Sequence, residues 1–62
     1  MSARTAAAVD RFVTFARQVV ANPGIRSAVV TDLCEQLLAA VDNGDMYAAK
    51  GLVLDIDTAL RG

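Results

Sequence analysis

The chain has 62 residues, 55% of them hydrophobic, and a net charge of −1. That length holds one domain and one core, and a lone monomer of this size buries only about 60% of its unfolded surface. One cysteine and no histidine exclude an internal disulfide, a zinc site and an imidazole base, which leaves regular helix packing and oligomerisation as sources of stability.

The first element is predicted as a helix over residues 3–21, with Ser2 or Thr5 available to cap it. Ala8, Val9, Phe12, Val13, Phe15, Ala16, Val19 and Val20 fall within an arc about 160° wide at helical spacing. Asp10, Arg11, Thr14, Arg17 and Gln18 occupy the other side. Strand periodicity fails because Phe12–Val13 and Val19–Val20 are adjacent apolar pairs. Phe12 and Phe15 are expected as core anchors. Asn22-Pro23-Gly24 then breaks the helix, because the residue before proline avoids the α region and glycine permits positive φ. Asn22 as a cap with Pro23 in the first helical turn is the alternative. The preferred reading is a loop over 22–26, with Ile25 tucked back as a plug.

The second helix is expected over 27–43, capped by Ser27. Val29, Val30, Leu33, Cys34, Leu37, Leu38, Ala40 and Val41 form its apolar arc, about 180° wide. Asn43-Gly44 ends it, with Gly44 as the left-handed terminal residue, and Asp45 caps the next. So short a connection implies an antiparallel helical hairpin. The third helix is expected over 45–60, with Met46, Ala48, Ala49, Leu52, Val53, Ile56, Ala59 and Leu60 on its core side. Tyr47, Gly51, Leu54 and Thr58 form a second, narrower stripe roughly opposite. A helix apolar on two sides has two neighbours to pack against, and Gly51 allows a second backbone to approach closely at a cost of about 1 kcal/mol in helix propensity.

The fold expected from these elements is all-α, a single-domain three-helix up-down-up bundle. Its apolar stripes hold more surface than three short helices can cover. The stripe of Tyr47, Gly51, Leu54 and Thr58, extended by Phe15 or Leu38 at the edges, is therefore read as a protein interface. A symmetric homodimer is the leading expectation. A regulator or inhibitor that binds a foreign protein through the same surface is the second.

Charge is uneven along the chain. Residues 1–26 carry +3 and residues 27–62 carry −4, together the −1 of the whole. Nucleic-acid binding through Arg4, Arg11 and Arg17 is a third reading. The acidic residues Asp45, Asp55 and Asp57 on the third helix oppose its insertion into a groove of DNA. Chemistry finds little support. Cys34 sits among Leu33, Leu37 and Leu38 and reads as a small core hydrophobe. Asp55 and Asp57 do not face each other on a helix, and the run from Asp42 to Asp45 is too short for a calcium loop. No phosphate-cradling glycine motif occurs. The reading is of a non-enzymatic protein without cofactor or metal. With no apolar leader and no span of about 20 apolar residues, it is expected in the cytoplasm rather than in a membrane. Five arginines to one lysine suit a GC-rich coding sequence, as in a high-GC bacterium or its phage.

The stretch Gly44-Asp45-Met46-Tyr47-Ala48-Ala49, ending at Ala59-Leu60, resembles the turn and second helix of a tetratricopeptide repeat, with Ala49 at the matching offset from Gly44. Leu37 stands where that family places a small residue, and no period of about 34 residues recurs. Residues 25–60 are also similar in pattern to small bacterial helical-hairpin repeats. Both likenesses imply hairpin geometry and protein contact, and neither implies a catalytic residue.

Overall fold

The computed structural model describes residues 3–22, 24 and 27–62, the side chains of Ala3 and Thr5 excepted. Three helices follow in order: α1 (Ala3–Ala21), α2 (Ala28–Asp42) and α3 (Met46–Arg61). They form the all-α three-helix bundle expected from the apolar spacing. The expected helix limits differ from those found in the cap residues and at the end of α3, which runs one residue further, to Arg61. Ser27, Asn43 and Asp45 flank the helices instead of belonging to them.

The ends of the helices explain why they stop where they do. Asn22 closes α1: its backbone N–H donates to the carbonyls of Gln18 (3.1 Å) and Val19 (3.2 Å), and its side-chain amide also donates to Gln18 O at 3.1 Å. Asn22 is thus a terminator of α1 and not the cap of α2. That role belongs to Ser27, whose Oγ accepts from the Val30 N–H at 3.3 Å. The proposed cap Ser2 and the proposed plug Ile25 lie outside the described residues, as does Pro23, whereas Thr5 falls inside α1 and so is not its cap.

Between α2 and α3 the chain turns in three residues. Gly44 has φ of +72°, the left-handed region that a side chain disfavours by roughly 1–2 kcal/mol. Its N–H donates to Val41 O at 3.0 Å, and the Asp45 N–H donates to Ala40 O at 2.8 Å. These two bonds are the paired closure of a helix end built on a left-handed residue. Asp45 then starts α3, with Oδ1 accepting from the Ala48 N–H at 3.1 Å.

One cluster of buried residues joins the three helices: Val9, Val13, Ala16 and Val19 from α1, Val30, Cys34, Leu37 and Ala40 from α2, and Ala49, Val53 and Ile56 from α3. Leu37 and Ile56 are the largest fully buried side chains. Phe12 and Phe15 pack against this cluster from its margin, edge to face with ring centroids 6.5 Å apart. They brace the core rather than form its centre. Two expected core positions are instead exposed: Val29 at 64% and Leu60 at 41%. Val29 lies in the first turn of α2 at the edge of its arc. Leu60 points in the core direction, but in the last turn of α3, beyond the reach of the neighbouring helices. Among the described residues no polar or charged residue is buried, so their interior is apolar, and no buried side-chain nitrogen or oxygen lacks a hydrogen bond. None of the described helices is long and apolar enough to cross a membrane.

Candidate interaction surface

The position of α3 is fixed by the Gly44–Asp45 turn and by the burial of Ala49, Val53 and Ile56. With 100° between residues, Tyr47, Gly51, Leu54 and Thr58 then fall on a strip roughly 160° away from those three. All four are exposed. Tyr47 is 90% exposed and Leu54 67%, so neither shields the core of its own chain. Gly51 lies mid-helix between them. A Cβ placed on it would meet nothing within 4 Å. No packing within the monomer explains why this position lacks a side chain.

The two edge residues of the expected interface lie elsewhere. Phe15 on α1 and Leu38 on α2 are half-buried against the core. Leu38 lines a polar-edged groove between α1 and α2 with Val13, Arg17, Ala39, Val41 and Asp42. The α3 strip therefore stands apart from Phe15 and Leu38.

Charged groups border that strip unequally. On the helical wheel Lys50 and Asp57 fall on one flank and Asp55 on the other. Asp57 accepts from Arg61 Nε at 3.0 Å, in a pair whose side chains are 41% and 79% exposed, a geometry that contributes little to stability. Lys50 and Asp55 have no ion pair among the described residues. A shallow groove of about 260 Å³ runs beside the Lys50 flank, between α1 and α3, lined by Arg4, Ala8, Val9, Lys50, Val53 and Leu54. Its floor is apolar and its rim carries two cations.

The three arginines considered for nucleic acid do not converge. Arg4 and Arg11 are seven residues apart on one side of α1, while Arg17 lies about 120° round the helix. Arg4 borders the α1–α3 groove and Arg17 the α1–α2 groove. Cys34 is fully buried, and burial pushes its thiol pKa up, which keeps the nucleophilic thiolate scarce. Among the described residues no three side chains of His, Cys, Asp or Glu gather as a metal site would require.

Sequence reasoning missed one element of this surface. The α1–α3 groove depends on how two helices distant in sequence lie together, and no local pattern encodes that. Comparison with family models, curated proteins and solved structures finds no match.

Proposed function

We propose that this chain is a non-enzymatic interaction module of the cytoplasm that associates with itself, as a symmetric dimer, through the outer strip of α3. The observation that carries this reading is the pairing of two large exposed side chains, Tyr47 and Leu54, on a strip opposite the core. Two further features support it. Gly51 leaves open space in the middle of the strip, where a neighbouring backbone or side chain can come close. The likeness of residues 25–60 to tetratricopeptide-type hairpins points to protein contact as well.

The driving force is removal of apolar surface from water, at about 25 cal/mol per Å². One face of a 16-residue helix falls short of the roughly 1,200 Å² buried in stable interfaces, so the association is of the weak class. It is tested by sedimentation velocity and thermal melting over a wide concentration range. A dimer at high concentration and a melting temperature that rises with concentration are expected, with both lost in Leu54→Asp. A monomer at every concentration, with a constant melting temperature, overturns the reading.

A second reading gives the same strip to a foreign protein. The apolar groove beside Leu54, rimmed by Arg4 and Lys50, favours an acidic amphipathic helix as that partner. Monomeric sedimentation combined with saturable binding of such a peptide selects this reading over the first.

A further inference from the structure

We propose that the second copy lies antiparallel, α3 against α3, about a two-fold axis level with the midpoint between Leu52 and Val53, and that Lys50 of each copy faces Asp57 of the other. This rests on the self-association reading above and specifies its geometry.

The first argument is the spacing of the strip. Positions 47, 51, 54 and 58 are separated by four, three and four residues, a pattern that reads the same from either end. An antiparallel two-fold therefore superposes the whole strip on itself. Tyr47 comes level with the partner's Thr58, and Leu54 with the partner's Gly51. Each layer joins a large side chain to a small one, and the open space at Gly51 receives a leucine. Parallel alignment would set Tyr47 against the partner's Tyr47 and Gly51 against the partner's Gly51, crowding one layer and leaving a void in the other. Voids and crowding both destabilise packed surfaces.

Charge supplies the second argument. Antiparallel helices bring like flanks together, so the Lys50 flank of one copy meets the Lys50 flank of the other. That flank holds Asp57 near its far end. The two-fold brings Lys50 within two residues of level with the partner's Asp57, about 3 Å along the axis, well inside the reach of a lysine side chain. Lys50 has no ion pair among the described residues of its own chain, and Arg4 adds a second cation beside it on the groove rim. Parallel alignment would instead bring Lys50 to the partner's Asp55 on the opposite flank. The helix dipoles add a small preference in the same direction, since antiparallel neighbours place opposite ends together. Such exposed pairs orient the contact more than they strengthen it.

The two alignments therefore name different acidic partners for one lysine, which makes them separable. Sedimentation equilibrium on wild type, Lys50→Glu, Asp57→Lys and Asp55→Lys gives each dissociation constant, with circular dichroism confirming helix content. Two like-charge contacts replace two attractive ones in the Lys50→Glu and Asp57→Lys dimers, and each should weaken by about tenfold. An equimolar mixture of those two variants restores the pairs in the heterodimer, and recovery of near wild-type affinity is the expected result. Recovery with Lys50→Glu plus Asp55→Lys instead overturns the antiparallel alignment and leaves the dimer standing. A wild-type dimer unchanged by every charge substitution also overturns the alignment. Wild type that stays monomeric removes the self-association reading, and this geometry with it.

Discussion

The inner and outer sides of α3 are both apolar at helical spacing, and they meet opposite surroundings. Ala49, Val53 and Ile56 share one buried cluster with α1 and α2, whereas Tyr47 and Leu54 project from the far side of the same helix. Hydrophobicity does not separate Leu54 from Ile56, since leucine and isoleucine differ little in transfer energy. What separates them is geometry. The Gly44–Asp45 turn sets how α3 is rotated as it folds back on α2, and among the described residues no further helix covers the side left outside. The inner side therefore answers to the stability of the monomer, and the outer side to whatever the monomer meets.

That division is open to direct attack. The largest effect belongs to the inner side: Ile56→Ala should cost about 2–5 kcal/mol, read as a lower urea midpoint, because Ile56 is fully buried. A loss no greater than that of Leu54→Ala would erase the distinction between the two sides. Next is the turn that orients the helix. Gly44→Ala meets no steric neighbour within 4 Å but forces alanine to φ of +72°, and should lower stability by about 1–2 kcal/mol in the same titration. Gly51→Ala should act with opposite signs on the two properties. It gains up to about 1 kcal/mol of helix propensity in the dilute monomer, because nothing within 4 Å obstructs the added methyl. It weakens self-association by filling the space meant for the partner's Leu54. Thermal melts at low and high concentration read both effects, and a gain at both concentrations would count against a close approach at Gly51. The smallest effect on the fold is that of Leu54→Asp. In dilute solution its stability should lie within about 0.5 kcal/mol of wild type, while its melting temperature ceases to depend on concentration.

The helices themselves were legible because their signals are local. The apolar arcs place the bundle, and Ser27, Gly44 and Asp45 mark their ends through hydrogen bonds that reach only three to five residues. The outer strip was legible for the same reason, since four positions on one helix fix one another. Val29 and Leu60 differ from expectation because the wheel gives direction but not depth: Val29 sits at the edge of its arc and Leu60 in the last turn of α3. The part of the surface made by two helices was not legible. Phe15 and Leu38 look like edges of the strip on their own wheels, yet they pack against the core on α1 and α2. The groove that does border the strip, with Arg4 and Ala8 across from Lys50 and Leu54, depends on the docking of segments some 45 residues apart.

Asp45 serves two helices at once, its N–H held by Ala40 and its carboxylate holding Ala48. No residue is left over between these bonds to act as a hinge. The elbow is thus tied on both sides by hydrogen bonds, which oppose bending there. Ile56 on α3 and Leu37 on α2 share one buried cluster, so whatever grips the third helix acts on a body that includes the second.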